Sequence, residues 1–229
     1  MDVDKIICGD CLEVMKDWPD NCVDIAFCDP PYGMNYYSGH YLGTNPHLPI
    51  QGDNRYAKEG VADCIRVARK AVYAFCRWDN IQDLPEKPKS FIVWKKNNWT
   101  AGDLEHAHGR MWEGIAFWPQ SNHRFNYRLP DVLEYSKISA SDLKHPAEKP
   151  IDLLLCILEA NVGEIVLDPY CGVGSTCVAA KKLGRRYIGI DISEKYCQIA
   201  RQRLEALDTG VPVKEQKQGQ IPLFGVKDG

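Results

Sequence analysis

Short apolar runs recur along the chain, and several of them end in an acidic residue. The run at 23–28 is almost continuously apolar, which is typical of a strand buried on both faces of a parallel sheet. Between such runs, as at 56–70, apolar positions at helical spacing predict amphipathic helices. The pattern predicts strands at 5–7, 23–28, 71–76, 90–94, 131–137, 164–168 and 186–191, and helices at 12–16, 56–70, 79–84, 151–160, 177–183 and 194–207. This alternation predicts an α/β fold.

Two stretches, 33–54 and 99–130, lack a regular period. The first is a long loop, which is uncommon unless it is functional or mobile, and its tyrosines suit either base stacking or simple loop packing. The second mixes aromatic residues with cations, which suits either nucleic-acid contact or a β-hairpin packed on the core. Two lysines follow the strand at 90–94, where phosphate contact competes with a solvated turn. The candidate nucleic-acid contacts are Tyr36, Tyr37, Lys95, Lys96, Arg124 and Arg128.

Composition and charge narrow the function classes. With 229 residues the chain is long enough for one α/β domain. The net charge of −3 means that any phosphate contact must come from local basic patches. No apolar run is long enough to cross a membrane, and the first residues lack the regions of a signal peptide, so we expect a cytoplasmic protein. Of the ten cysteines, Cys8 and Cys11 form the one Cys-x-x-Cys pair, so we expect reduced thiols and no metal site.

The apolar run at 23–28 leads directly into Asp29-Pro30-Pro31-Tyr32. Pro31 has no N–H group and favours an extended backbone at Pro30, whose carbonyl can then point outward as a free acceptor. Asp29 supplies a second acceptor, and Tyr32 supplies an aromatic face. Two acceptors beside a stacking ring suit a planar substrate with an exocyclic amino group, such as a nucleobase. A bare Asp-Pro-Pro is as often a strand end followed by a proline turn.

A second group of polar residues follows the strand at 164–168. Asp168 ends that strand, and glycines in 169–176 let the backbone approach a ligand closely. Asp191 ends the next strand and suits the ribose hydroxyls of an adenosine-containing cofactor. A dinucleotide is disfavoured, because Cys177 replaces the third glycine or alanine of the Rossmann fingerprint and Asp168 would repel a pyrophosphate. The same acid suits the sulfonium and ammonium groups of S-adenosylmethionine, which carries no phosphate.

Together these motifs resemble those of the N4/N6 family of amino-methylating DNA methyltransferases. The order is similar to the β class, in which the catalytic half precedes the cofactor-binding half. Asp29-Pro30-Pro31-Tyr32 matches the catalytic motif, and 166–176 match the cofactor loop, with Tyr170 where phenylalanine is usual. Gly9-Asp10 matches the family's contact to the cofactor adenine, and 145–150 match the segment before the cofactor loop. The resemblance covers about 4–32 and 144–205 well, and the middle of the chain poorly.

The resemblance implies a Rossmann-like methyltransferase fold of circularly permuted order, with a mostly parallel central sheet, an antiparallel hairpin and helices on both faces. It implies one domain at 1–207, with a catalytic half at about 1–137 and a cofactor-binding half at about 144–207, and a flexible tail at 208–229. The implied catalytic residues are Asp29, Pro30, Pro31 and Tyr32. The implied contacts to S-adenosylmethionine are Asp10, Cys11, Asp29, Lys149, Asp168, Tyr170, Cys171, Gly172, Gly174, Ser175, Thr176, Asp191 and Ile192, with Lys149 near the methionine moiety.

The implied reaction is methylation of the N6 amine of an adenine that has flipped out of DNA. An Asp-headed motif, rather than a serine-headed one, favours adenine, while cytosine N4, an RNA base or a protein amide remain alternatives. Parallel strands would place Asp10, Asp191, Asp168 and Asp29 along one sheet edge, where ligands of such sheets bind. A nicotinamide-dependent oxidoreductase is disfavoured by Cys177 and Asp168. A non-catalytic DNA-binding module is disfavoured because both motifs are intact.

Little of the chain is left for a separate target-recognition segment, since only 138–144 separate the last predicted strand of the catalytic half from the segment at 145–150. We therefore expect a short target, relaxed specificity or a homodimer, which suits a small enzyme of a bacterial or phage-infected cell. Near the end of the chain, Gln220-Ile221-Pro222-Leu223-Phe224 resembles the pentapeptide with which bacterial proteins dock on the replication sliding clamp. The alternative is a short apolar tail that packs on its own domain. DNA is the expected partner, and Gln220, Leu223 and Phe224 are candidate clamp contacts.

Overall fold

The computed structural model describes residues 2–33, 56–100, 105–106, 108–138 and 148–210. In this part of the chain, eight strands form one sheet with helices on both faces. The strands are β1 (Lys5–Cys8), β2 (Val23–Cys28), β3 (Ala68–Cys76), β4 (Ser90–Thr100), β5 (Arg110–Pro119), β6 (Val132–Glu134), β7 (Ile165–Asp168) and β8 (Arg186–Asp191). The helices are α1 (Cys11–Met15), α2 (Lys58–Val67), α3 (Ile151–Glu159), α4 (Ser175–Lys182) and α5 (Glu194–Thr209), with a 3₁₀ helix at Trp78–Asp83.

The order of the strands is β1-β8-β7-β2-β3-β5-β4-β6. The strands from β1 to β3 in this order run parallel to their neighbours, as their buried apolar sequences predict. β5 runs antiparallel between β3 and β4, so the part of 99–130 that lies in β5 forms a β-hairpin with β4, as one of the two alternatives predicted. β1 pairs with β8, with Cys8 opposite Asp191, and this joins the first strand to the last. The predicted Rossmann-like, circularly permuted α/β fold is therefore confirmed.

Side chains of the central strands enter two cores, one on each face of the sheet. In β2, Ile25 and Phe27 pack with side chains of α3, α4 and α5. Ala26 and Cys28 point the other way and pack with α1 and α2. Because successive side chains of a strand face opposite sides, a sheet covered on both faces needs apolar residues at nearly every position. This requirement explains the continuous apolar run that β2 shows in the sequence.

Several boundaries differ from those predicted, and strand pairing explains the largest differences. β3 begins at Ala68, where it pairs with Val23 of β2, so α2 ends earlier than the helical pattern predicts. β4 continues to Thr100 because its partner β5 extends it beyond the apolar run. The strand predicted at 131–137 shortens to Val132–Glu134, which pairs in parallel with β4. Among the described residues, no helix has both the length and the apolar character needed to cross a membrane.

Candidate active site

Four acidic residues lie along one edge of the sheet, each at the carboxyl end of a parallel strand. Following the strand order, they are Asp10 after β1, Asp191 at the end of β8, Asp168 at the end of β7, and Asp29 after β2. The parallel pairing of these strands places all four ends on the same side. The structure therefore brings together two groups of residues that are far apart in the sequence. Tyr32 and Gly172 consequently share this edge.

The loop between β7 and α4 is held to the neighbouring strand by its own backbone. The Gly172 N–H group donates to Asp191 Oδ2 at 2.8 Å, and the Tyr170 N–H group donates to Asp168 Oδ1 at 3.1 Å. Gly174 has a φ of 81°, and a Cβ placed on it would lie 2.8 Å from the Cβ of Ala200 in α5. Glycine is therefore required there both by the backbone conformation and by the close approach of α5.

Asp168 is a buried carboxyl group in the centre of this edge. Burial raises its pKa to about 7, although hydrogen bonds from Thr176 and the Tyr170 backbone oppose the rise. A buried carboxylate is costly unless a cation or further hydrogen bonds compensate it. The position therefore favours a ligand that brings a positive charge.

The neighbouring strand end combines fixed carboxylate acceptors with apolar surface. Asp191 accepts hydrogen bonds from the backbone of Gly172 and of Ser193, each at 2.8 Å, and burial raises its pKa. Next to it, Ile192 is 51% exposed, so it offers apolar surface at this edge of the sheet. Asp10 accepts from the Leu12 N–H group at 2.9 Å and so caps α1. Carboxylate oxygens beside an exposed apolar side chain suit a nucleoside, with its hydroxyls and its flat base.

At the other end of this edge, Asp29 is bound through both of its oxygens. The Tyr32 hydroxyl donates to Asp29 Oδ1 at 2.5 Å, and Lys149 Nζ donates to Asp29 Oδ2 at 2.5 Å. Tyr32 is itself held by a backbone bridge to Tyr56 and by Asn80, whose side-chain amide donates to the Tyr32 carbonyl at 3.2 Å. Burial raises the pKa of Asp29, and the Lys149 ammonium opposes this rise. The sequence predicted a ring at Tyr32, but it did not reveal that the hydroxyl orients Asp29.

Lys149 also belongs to a buried group of charges that no pattern in the sequence reveals. Its Nζ atom lies 3.5 Å from Glu113 Oε2 in β5 and 4.7 Å from the centre of the Phe75 ring. The Lys96 ammonium contacts Glu113 Oε1 and lies 4.8 Å from the centre of the Trp94 ring. Because β5 is antiparallel, its first residues lie at the edge where β2 and β3 end. Within the part of the chain that the structure describes, this group contains two ammonium groups and two carboxylates, those of Lys96, Lys149, Asp29 and Glu113.

The pKa values of the two carboxyl groups in this group are shifted in opposite directions. Burial opposes ionisation of Glu113, but the Lys149 and Lys96 ammonium groups outweigh it and lower the Glu113 pKa. Burial likewise opposes the charge on Lys149, yet Asp29 and Glu113 outweigh it and raise the pKa of Lys149. Since burial dominates at Asp29 and raises its pKa, Asp29 is the better proton acceptor of the two acids and Glu113 is the better permanent anion.

The candidate nucleic-acid contacts differ in how exposed they are. Lys96 was a candidate for phosphate contact, with a solvated turn as the alternative, and both place it at the surface. The structure instead buries it, because the residue is only 7% exposed and pairs with Glu113. Strand alternation explains the error, since Lys96 shares the inward face of β4 with Trp94 and only Lys95 points outward. Lys95 pairs with Glu134 at 2.6 Å, and Arg124 and Arg128 are exposed. Contact of these three residues with DNA stays a prediction.

Other predicted sites fall outside the described residues, namely Tyr36, Tyr37, the histidine and proline at 145–146, and the tail residues Gln220, Leu223 and Phe224. All ten cysteines are free thiols. Within the described ranges, the Cys8, Glu194 and Cys197 side chains bring three potential metal ligands within 4.8 Å of one another. The Glu194 carboxylate of this group already pairs with Arg201 at 2.8 Å.

Tyr170, which stands where the family usually has phenylalanine, fits a space made by α2. A Cβ placed on Gly60 would lie 1.9 Å from the Tyr170 hydroxyl oxygen and 2.8 Å from the ring carbon that bears it. The hydroxyl is accommodated because Gly60 has no side chain. Burial of this hydroxyl raises the pKa of Tyr170. The loop after β7 is thereby packed on α2, the helix that comes after Asp29-Pro30-Pro31-Tyr32 in the chain.

Comparison with known solved structures gives the same fold. The chain resembles the M1.HpyAVI–SAM complex with a TM-score of 0.63 and 24% identity, covering 87% of this chain and 98% of that one. It also resembles the PvuII DNA methyltransferase, described as cytosine-N4-specific, with a TM-score of 0.66 and 13% identity, covering 93% of this chain and 89% of that one. At these identities the likeness is one of fold.

Comparison with known sequences goes further. The sequence profile of the N6/N4 methyltransferase family, described as "DNA methylase", matches residues 103–202. "Putative methylase YubD" of Escherichia coli is 30% identical over 222 residues, which cover 89% of this chain and 91% of the relative. The type II methyltransferase M.HpaI of Haemophilus parainfluenzae is 24% identical over 255 residues, covering 95% of this chain and 79% of the relative. The chain therefore belongs to the N4/N6 family of DNA methyltransferases.

Proposed function

We propose that the protein methylates the N6 amine of adenine in DNA and uses S-adenosylmethionine as the methyl donor. The observation that carries this proposal is the position of Asp29-Pro30-Pro31-Tyr32 directly beside the glycine loop. β2 and β7 are hydrogen-bonded neighbours, with Ile25 opposite Val166 and Ala26 opposite Leu167. A base acceptor and a cofactor loop that follow adjacent parallel strands can present two ligands to each other.

The residues along the sheet edge fit S-adenosylmethionine. Asp168 is a buried carboxyl that lacks a cationic partner among the described residues, and a sulfonium or ammonium group supplies one. Asp191 and Asp10 provide acceptors for the ribose and the adenine, and Ile192 provides an apolar surface for the base. When bound, the cofactor supplies a methyl group carried on a positively charged sulfur. The further residues that we propose to hold it are Cys11, Lys149, Tyr170, Cys171, Gly172, Gly174, Ser175 and Thr176.

The residues beside β2 prepare the amine for methylation. An aromatic amine is a weak nucleophile because its lone pair is delocalised into the ring. Asp29 and the Pro30 carbonyl each accept one N–H group, which draws the nitrogen towards a tetrahedral shape and directs its lone pair at the methyl group. Pro31 helps to fix this backbone, since its own carbonyl accepts from the Ala57 N–H group at 3.2 Å. The amine gains a methyl group and loses one proton, and Asp29, whose pKa burial raises, accepts that proton.

The target base must leave the duplex to reach Asp29, because this carboxyl lies in a largely buried position. Extrusion of a base costs about a few kcal/mol, which stacking on the Tyr32 ring offsets in part. The Asp-headed motif favours adenine, but the same pair of acceptors serves the N4 amine of cytosine. Cytosine is therefore the alternative substrate of the same site.

The proposal is tested by incubating the purified protein with labelled S-adenosylmethionine and DNA duplexes that contain either adenine or cytosine, but not both. Digestion and mass spectrometry then identify N6-methyladenine or N4-methylcytosine. Asp29→Ala and the isosteric Asp29→Asn are expected to lower kcat by about 100-fold to 10,000-fold, the range for removal of a general base. Both should keep their affinity for the cofactor. Turnover at the wild-type rate by either variant contradicts the role of Asp29, and methylation of cytosine alone contradicts the choice of adenine.

Two partners follow from the sequence rather than from the described residues. We propose that a second copy of the chain completes recognition of the target, which sedimentation with and without DNA tests.

We also propose that Gln220, Leu223 and Phe224 bind the sliding clamp in the cytoplasm of a bacterial or phage-infected cell. Pull-down with a chain that lacks Leu223 and Phe224 tests the second proposal, and undiminished retention by the truncated chain contradicts it.

A further inference from the structure

Lys149 occupies the oxygen of Asp29 that a substrate amine would need. Asp29 Oδ1 is taken by the Tyr32 hydroxyl at 2.5 Å, and Oδ2 by Lys149 Nζ at 2.5 Å. The backbone of Tyr32 is fixed by the bridge to Tyr56 and by the hydrogen bond from Asn80, and its side chain has few rotatable bonds, whereas the Lys149 ammonium sits at the end of a long side chain. An ammonium at this distance also lowers the basicity of the carboxylate. Productive binding of an amine therefore requires Lys149 to release Oδ2.

Glu113 offers Lys149 a second carboxylate within reach. Among the described residues, no donor has hydrogen-bonding geometry to Glu113 Oε2, although this atom is buried. Lys149 Nζ lies 3.5 Å from that oxygen. The ammonium group therefore needs to move by only about 0.6 Å to reach an ordinary hydrogen-bond distance of about 2.9 Å. The other oxygen of Glu113 is held by Lys96, which keeps the carboxylate oriented. A buried acceptor without a hydrogen bond, beside a buried ammonium, is the observation that needs an explanation.

We infer that Lys149 moves from Asp29 to Glu113 when the substrate amine binds, and that Glu113 is a positioning residue for the methylation reaction. This inference rests on the proposed function of Asp29. In the free protein Lys149 neutralises Asp29, and in the substrate complex it neutralises Glu113 and leaves Asp29 Oδ2 to accept the amine N–H group. No covalent bond changes in this movement, and the proton stays on Lys149, whose pKa is held above its ordinary value by both carboxylates.

The charges of the group explain why a movement of this kind is inexpensive. Lys149 is paired with an anion in both positions. Asp29 loses its ion pair in the second position, but it keeps the hydrogen bond from the Tyr32 hydroxyl and gains one from the substrate amine. The Phe75 and Tyr32 rings lie 4.7 Å and 5.6 Å from Lys149 Nζ, and they provide favourable aromatic surfaces for the cation. Without the charge of Glu113, the attraction that draws Lys149 away from Asp29 is lost, and Lys149 remains on Asp29.

The test is a double-mutant cycle on methylation kinetics at saturating cofactor. Glu113→Gln keeps the size of the side chain and an oxygen for Lys96, but it removes the charge that attracts Lys149. We expect kcat to fall by about 30-fold, the lower end for loss of one partner of a buried charge pair. In a Lys149→Met background, where no ammonium competes for Asp29, the same substitution is expected to change kcat by less than about threefold. An equal loss in both backgrounds, or no loss in either, overturns the inference.

Further variants separate positioning from packing. Glu113→Asp keeps the charge and loses volume, so it should retain more activity than Glu113→Gln, whereas a purely structural role predicts the reverse. The acidic limb of the kcat/KM profile should also move to lower pH in Glu113→Gln, because the Glu113 charge raises the pKa of Asp29. The matched control is Asp208→Asn, which removes a carboxylate paired with Lys181 at 2.6 Å, late in α5. An inactive wild-type protein would contradict the proposed function, while an active wild type with uncoupled variants contradicts the movement of Lys149 alone.

Discussion

Replacing Asp24 by asparagine should destabilise the fold without touching the active site. Asp24 is fully buried at the amino end of β2, on the edge opposite the four strand-end acids. Its Oδ1 accepts from Arg69 at 2.8 Å and pairs with Lys70 at 3.0 Å, and its Oδ2 accepts from the backbone of Glu164 and Ile165 at 2.9 and 3.0 Å. One carboxylate thereby ties together the beginnings of β2, β3 and β7. An amide has one oxygen only, so its NH₂ group must face one of the two pairs of donors.

The expected loss of folding free energy depends on the burial of Asp24 and on how easily its two cationic partners can turn to water. Removing one partner from a buried ion pair costs about 3–5 kcal/mol. The Arg69 and Lys70 side chains keep 44% and 23% of their exposure, so both cations can turn to water, and we expect the lower end, about 3 kcal/mol. At about 2–4 °C per kcal/mol for a chain of this size, the Tm should fall by about 6–12 °C.

Chemical and thermal denaturation of Asp24→Asn measure this loss. Asp208→Asn removes a carboxylate from an exposed ion pair and should change stability by less than about 0.5 kcal/mol. Cofactor affinity should be unchanged at temperatures where the variant is folded. A loss below about 1 kcal/mol for Asp24→Asn would refute the reasoning, because it would mean that four contacts to a buried charge contribute no more than a surface pair.

The pH dependence of the same variant supplies a second check. Burial alone would raise the pKa of Asp24, but Arg69, the backbone N–H groups of Ile165 and Glu164, and Lys70 outweigh it and hold the pKa well below its usual range. A carboxyl with a depressed folded pKa stabilises the fold above its unfolded pKa of about 3.9, and this stabilisation is lost as pH falls through the folded pKa. The difference between wild type and variant should therefore be constant above about pH 5 and narrow below about pH 4.

Two further predictions concern the cofactor loop. Because burial raises the pKa of Asp168 to about 7 and a cationic ligand needs the ionised form, the Kd for S-adenosylmethionine, followed by calorimetry, should rise about tenfold per pH unit below 7. Asp168→Asn should bind more weakly and without this slope, and an unchanged slope would exclude Asp168 as its source. Gly60→Ala should lose about 1–3 kcal/mol of stability through overpacking against Tyr170, and Tyr170→Phe should restore part of it in thermal denaturation.

The boundaries of the helices and strands show where the local sequence pattern no longer predicts the structure. The parallel core was predicted well, because burial on both faces leaves continuous apolar runs such as the one in β2. β5 was not assigned, because its first residues mix polar and apolar side chains and only its pairing with β3 and β4 extends it across the sheet. Lys96 was assigned to the surface for a similar reason, since a lysine that is buried beside an acid of another strand looks the same in the sequence as a solvated one.

The sequence by itself determined which residues stand at the two strand ends, because Asp29-Pro30-Pro31-Tyr32 and the glycine loop are local motifs that each directly follow their own strand. It also determined the α/β class, because the burial of parallel strands is recorded in their apolar runs. Only the tertiary structure decided which charges surround Asp29. Lys149 reaches it from the residues before α3, and Glu113 from an antiparallel strand, so their meeting depends on the pairing of distant segments. Ion pairs between segments far apart in the chain have no fixed spacing in the sequence, and for that reason they become visible only when the sheet is assembled.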